Sequence, residues 1–165
     1  MNTDLANVVT LRDIAESDLP IFFQHQRDPQ ACYMAAFTPE NPADGESFYR
    51  RWSGFLANES MFKKTILCDG NVAGHLIAYK AGRDLLTYWI GKEFWGRGVA
   101  TRAVSEFLKI MTVRPLYAYV AVDHIASLRV LHKNGFLIID QEVGYANARG
   151  GELEEFLLEL NPSSR

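Results

Sequence analysis

The chain has 165 residues, 48% hydrophobic and 22% charged, with a net charge of −3. It holds enough apolar sequence for one core, which excludes a disordered chain, and it lacks the basic excess that would draw it to nucleic acid or an anionic membrane surface. The only cysteines, Cys32 and Cys68, fit no metal or redox spacing and are expected as free thiols in a reducing compartment.

Met1–Val9 has an aspartate and no apolar core, so no signal peptide is expected. No apolar run is long enough to span a membrane, and the expected location is the cytoplasm. Val8–Leu11 reads as a strand. Asp18 is placed to cap a helix from Leu19 to about Arg27, with Pro20 in the first turn and Ile21, Phe22 and Phe23 inward. Asp28-Pro29 ends it. The apolar stretch Ala31–Phe37 has no clear period, and Thr38–Pro42 breaks it. A second helix is expected over Asp44–Asn58, with Phe48, Trp52, Phe55 and Leu56 on one side.

Strands follow. Thr65–Cys68 leads into Asp69-Gly70, a hairpin signal, and Val72–Tyr79 is its partner. Ala81–Asp84 makes a second turn, and Leu85–Ile90 is the next strand. Val99–Met111 is the clearest helix, with Val99, Ala103, Val104, Phe107 and Met111 at helical spacing. Leu116–Val122 is a strand rich in aromatic and β-branched residues. Ala126–Asn134 is a helix closed by Gly135. Phe136–Tyr145 and Glu152–Leu160 are strands joined by a turn at Asn147–Gly151. The order β-α-α-β-β-β-α-β-α-β-β calls for a mixed sheet with helices on its faces.

Between Ile90 and Val99 the chain turns at Gly96 and Gly98 straight into a helix. Helix starts carry unpaired N–H groups and partial positive charge, and glycine lets a ligand approach the backbone. This turn is read as a phosphate-binding loop.

Two blocks carry a resemblance. The first is Tyr88-Trp89-Ile90-Gly91 running on to Phe94-Trp95-Gly96-Arg97-Gly98-Val99-Ala100-Thr101. The second is Ala126-Ser127-Leu128-Arg129-Val130-Leu131-His132-Lys133-Asn134-Gly135-Phe136. With the element order, they resemble the GCN5-related N-acetyltransferase (GNAT) family, in particular its ribosomal-protein N-terminal acetyltransferase branch. Trp95 departs from the family's usual Arg or Gln. The resemblance implies a single α/β (α+β) domain over residues 1–165. Its central sheet would be mixed, mostly antiparallel and seven-stranded, with about four helices on its faces.

It also implies acetyl-CoA as cosubstrate, with no metal. The pyrophosphate would meet the N–H groups from Gly96 to Thr101, including Val99 and Ala100, and Arg97 is either a further contact or a solvated side chain. The strand Tyr88–Ile90 would splay from Leu116–Val122, so that the pantetheine arm pairs with Trp89 and Ile90. A backbone N–H near Ile90 would hold the thioester oxygen. His124 stands where the family usually has Asn, near the pantetheine. Many relatives place an acidic tyrosine where this chain has Leu131, so Ser127 becomes the candidate, as coenzyme contact and catalytic acid. Tyr33 and Phe37, with Met34, are candidates for the acceptor wall, with core packing as the alternative. No general base is evident; Glu142 and Tyr145 lie on a strand near the expected site. His25, His75 and His132 read as surface or packing histidines.

The resulting expectation is an N-acetyltransferase acting on a protein N-terminus or a small-molecule amine, as a monomer or homodimer, without nucleic-acid or membrane partners. The missing tyrosine motivates an alternative, a non-catalytic acyl-CoA-binding or sensing module on the same fold. The hairpins at Asp69-Gly70 and Ala81–Asp84 speak against a doubly wound nucleotide-binding domain.

Overall fold

The computed structural model describes residues 7–162; most of the segment from Met1 read for a signal peptide lies outside them. Seven strands form one sheet: β1 (Val9–Arg12), β2 (Phe62–Cys68), β3 (Asn71–Ala81), β4 (Arg83–Ile90), β5 (Leu116–Ala121), β6 (Leu137–Ala146) and β7 (Gly151–Leu160). Their order is β1-β2-β3-β4-β5-β7-β6. All neighbours are antiparallel except β4 and β5, which the helix between them joins as a parallel pair. Five helices complete the described fold, against about four expected: α1 (Leu19–Gln26), α2 (Pro29–Ala35), α3 (Gly45–Ala57), α4 (Val99–Ile110) and α5 (Ile125–Lys133).

The two sheet faces carry different cores. One packs α4 and α5 on the sheet through Ala103, Val104, Phe107, Leu131 and Phe136. The other packs α1 and α3 through Phe22, Phe48 and Trp52. A smaller cluster there joins Ala36 and Phe37 to Ala121, Ala146 and Leu153. The Asp69-Gly70 hairpin forms as expected, both residues at positive φ.

Three local expectations need correction. Ala31–Phe37 is largely helical, as α2. Asp28-Pro29 ends α1 and also starts α2: the Asp28 carboxylate accepts from Ala31 N–H at 2.8 Å, with Pro29 in the first turn. Asp18 makes no cap bond to α1. Its buried carboxylate accepts from both Arg12 nitrogens at 2.8 Å, the Thr65 hydroxyl at 2.6 Å and Ala15 N–H at 2.9 Å. Burial works to raise its pKa, but these bonds outweigh that and hold it at about 2. His25 and His75 are packing histidines, whereas His132 lies at the surface.

Candidate active site

Alternation along β4 sends neighbouring side chains to opposite faces. Tyr88 pairs with Leu76 and joins the α4–α5 core; Trp89 pairs with His75, whose ring packs on Phe22 and Trp52. Only Leu85↔Tyr117 registers β4 against β5. Beyond it the two strands part, on the way to the glycine turn. That parting is the splay the resemblance implies.

The turn itself is exposed at Gly96, Arg97 and Gly98. Gly96 and Gly98 both sit at φ +75, where a side chain would strain the backbone, and open space surrounds both Cα positions. Gly98 precedes α4 without a side-chain cap, leaving the first N–H groups of a 12-residue helix open to an anion. Val99 is core, so only its backbone can serve; Ala100 and Thr101 are half-buried. Arg97 lies back over the Phe94 ring at 5.1 Å, with a nitrogen 3.7 Å from Cys68 Sγ. Trp95 donates its indole N–H to Ile90 O at 2.9 Å, tying the turn to the end of β4.

The α5 residues meet β4 here. Ser127 Oγ on α5 lies 2.6 Å from Tyr88 Oη on β4, and Leu131 further along α5 is fully buried. Burial pushes the Tyr88 phenol up to about 12, with the Ser127 bond opposing, so it stays protonated at neutral pH. His124 precedes α5 without capping it, and its buried Nδ1 has no partner. Burial lowers its pKa, against the raising effect of Asp123.

The opposite wall comes from α2 and the β6–β7 hairpin. Ala36, fully buried at φ +67, is the centre of a tight turn closed by Phe37 N–H to Ala35 O at 2.7 Å. This turn directs Phe37 to Gly144, where a Cβ would stand 3.2 Å from Phe37 Cε1 and 3.4 Å from Glu155 Oε2. The hairpin turn pins the segment: Ala148 N–H donates to Ala36 O, and the Asn147 amide to Thr38 O. Arg149 joins both walls. It donates to Tyr33 O at 2.7 Å, lies 4.0 Å over the Tyr33 ring, and makes two bonds to Asp123 at 2.9 and 3.1 Å. Tyr33 is exposed beside this junction.

Glu155 is the functional candidate that sequence reading missed. It pairs with Ala121 on one side and Glu142 on the other, so two carboxylates stand directly opposite. Such pairs are unfavourable in a sheet. Burial, then Glu142, raises the Glu155 pKa. Counting four residues along parallel strands from Leu85↔Tyr117 puts Trp89 level with Ala121, hence with Glu155, at the open end of the splay. No local pattern in the sequence singles it out, because its surroundings are set by the pairing of β5, β6 and β7.

Among the described residues no group of three metal-ligating side chains occurs, and no helix is long and apolar enough to cross a membrane. The family model described as "Acetyltransferase (GNAT) domain" matches residues 9–137. A search of curated protein sequences found no significant match. Among solved structures, the chain is similar to the ribosomal-protein-alanine N-acetyltransferase from Brucella melitensis, at 17% identity and TM-score 0.76, covering 92% of this chain and 99% of that one. It is also similar to Mycobacterium smegmatis RimJ in complex with CoA-disulfide, at 20% identity and TM-score 0.76, covering 93% and 81%. A chimera of spermidine N-acetyltransferase SpeG from Vibrio cholerae and hSSAT matches at 16% identity and TM-score 0.72, covering 94% and 96%. At these identities the likeness is one of fold.

Proposed function

This chain belongs to the GNAT acetyltransferase family, and from that premise we propose that it transfers an acetyl group from acetyl-CoA to a primary amine, a protein N-terminus or a small-molecule amine. The observation that carries the reading is the parting of β4 from β5 beyond Leu85↔Tyr117, on a strand that leads into the glycine turn and the N-terminus of α4. Acetyl-CoA supplies the activated acyl group. The N–H groups from Gly96 to Thr101 hold its pyrophosphate, and the backbone of Trp89 and Ile90 lines its pantetheine.

The reaction needs a neutral amine, a donor for the thioester oxygen and an acid for the departing thiolate. Glu155 takes the proton from the acceptor's ammonium, directly or through water, and Glu142 beside it favours a cation in this corner. The amine then attacks the thioester carbon. A backbone N–H near Ile90 holds the oxygen as charge gathers on it. The thiolate takes a proton from Ser127, which is replenished by Tyr88 at 2.6 Å, and the proton still carried by the attacking nitrogen leaves through water and restores the phenol. This pair supports the catalytic reading over a non-catalytic module, since β4 would then provide the proton donor missing at Leu131. Tyr33 and Phe37 line the acceptor side, and His124 lies on the coenzyme side.

The test is release of free CoA thiol when purified protein meets acetyl-CoA and a panel of N-terminal peptides, polyamines and amino acids. Turnover with at least one primary amine is expected. Saturable binding of acetyl-CoA with no release across the panel would favour the binding module, and absence of both would overturn the proposal.

A further inference from the structure

The sheet face that carries α1 and α3 holds buried polar groups that the reaction above does not use. The indole N–H of Trp89 and the Nδ1 atoms of His25 and His75 are buried, and none has a hydrogen-bond partner among the described residues. Buried polar atoms in native proteins are nearly always paired, with protein, water or a ligand, so three orphans in one place call for an occupant. His75 and Trp89 are direct cross-strand partners. Gly91, two residues beyond Trp89, takes the same face, and a Cβ there would stand 2.5 Å from His25 Nε2. His25 therefore lies over the end of β4, next to Trp89.

A fourth group comes from α3. The Arg51 guanidinium donates to Gln26 Oε1 at 2.8 Å and lies 5.8 Å over the Phe48 ring. It is half-buried, and among the described residues it pairs with no carboxylate. A cation taken partly out of water without a counter-charge is unfavourable, and burial lowers its pKa. It stands close enough to His75 for its charge to oppose protonation of that ring. A guanidinium has five N–H donors, so the bond to Gln26 leaves donors to spare. Glu93 approaches His25 Nε2 at 3.9 Å from the solvent side, and it bonds neither Trp89 nor Arg51.

We infer that Trp89 and Arg51 bind a carboxylate of the acceptor, which is then a small amine that also carries a carboxylate, such as a free amino acid, rather than a protein N-terminus. This rests on the transfer proposed above. Both groups suit an anion: the indole N–H can only donate, and the guanidinium adds a full charge. Across the splay the charge reverses. Glu155 and Glu142 share this sheet face, level with Trp89. Two strand spacings, ~10 Å, separate β4 from β7 in this row before the parting of β4 and β5 widens it, which is room for a small molecule. The acceptor's ammonium lies on the acidic side and its carboxylate against Trp89 and Arg51. A protein N-terminus would bring a neutral carbonyl to this place and leave the arginine without a counter-charge.

The test measures CoA release with matched acceptors: L-alanine and ethylamine, L-leucine and isopentylamine, L-phenylalanine and phenethylamine, beside amino-acid amides and an N-terminal peptide. For at least one pair, the ratio of kcat/KM, amino acid over amine, is expected to fall at least tenfold from wild type to Arg51→Gln, through KM. Comparing the ratio between the two proteins cancels the different basicity of the paired amines. Trp89→Phe keeps an aromatic ring, deletes the N–H, and should lower the same ratio; it decides the matter if circular dichroism shows Arg51→Gln unfolded. A ratio unchanged in both variants, or amides and the peptide outpacing the amino acids, overturns the inference while the transfer stands. If no acceptor is turned over, calorimetric titration of the same amino acids into the CoA-loaded protein decides. Binding that Arg51→Gln weakens tenfold keeps the carboxylate site and overturns the transfer, and no binding overturns both.

Discussion

On the β4–α4 side of the cleft, the groups that would hold a ligand are backbone. Gly96, Gly98 and the open first turn of α4 supply them within a few consecutive residues, and Trp95 anchors that stretch through Ile90 O. Across the cleft every contact joins distant parts of the chain. Arg149 reaches Tyr33, Asn147 reaches Thr38, and Gly144 admits Phe37 beside Glu155. The first wall is a local structure suited to one chemical group, a phosphate. The second is an assembly whose shape and charge can change by substitution without disturbing the first. A fold that keeps its donor and varies its acceptor would be built in this way.

The comparison breaks most visibly at Glu155. Glu155→Gln is expected to lower kcat about 10²-fold while acetyl-CoA affinity stays unchanged. Because burial and Glu142 raise the Glu155 pKa, the wild-type rate should climb as this carboxyl loses its proton above the ordinary carboxylate range. The variant should lack that rise in a pH–rate profile. A rate unchanged in Glu155→Gln would move the base elsewhere.

A smaller effect is expected at the junction of the walls. Tyr88→Phe leaves Ser127 without its phenol partner and should cost kcat about tenfold in steady-state assays, with little change in coenzyme affinity. If Tyr88→Phe instead weakens acetyl-CoA binding, the pair is part of the coenzyme wall alone.

The smallest effect concerns the helices beneath the acceptor wall. His75 is held neutral by burial, then by the nearby charges of His25 and Arg51, with its pKa pushed down to about 3. An unfolded histidine takes up a proton near pH 6.5, which the folded site refuses until about pH 3. The stability tied to neutral His75 is therefore full above about pH 6.5 and is lost as pH falls towards 3. Asp18 continues the loss from about pH 4 towards 2, as its bonds to Arg12, Thr65 and Ala15 fail. Thermal melts should show the melting temperature declining from about pH 6.5 downward, and His75→Phe should flatten the upper part of that decline.

The same contrast explains what could be read from the chain. The glycine turn is legible because its glycines, the helix start and the strand follow one another, so residue types and spacing report the geometry directly. The sheet and its hairpins were legible for the same reason. The helix α2 is not: Asp28-Pro29 reads as a terminator, though capping chemistry also makes it a start. Asp18 has the sequence position of a cap, but its carboxylate bonds Arg12, Thr65 and the Ala15 N–H and caps no helix N–H of α1. Tyr88 is ambiguous in sequence because only the register shows which face it takes, and the family resemblance points to α5 rather than β4 for a phenol. Glu155 and Arg149 depend on β5, β6 and β7 pairing in one register, which no local pattern specifies. Trp95 departed from the expected Arg or Gln, and its hydrogen bond to Ile90 gives it a structural role at that position.

The claim that the two walls act separately rests on the glycine turn holding the coenzyme. Isothermal titration of acetyl-CoA into the wild-type chain, Gly98→Val and Glu155→Gln tests it most directly. Valine at φ +75 is strained by ~1–2 kcal/mol and fills part of the open space at the turn, yet its Cβ meets no atom within 4 Å. The account predicts saturable one-to-one binding to the wild type, loss of at least tenfold in affinity for Gly98→Val, and wild-type affinity for Glu155→Gln. Undiminished binding to Gly98→Val, or no binding to the wild type, would contradict it.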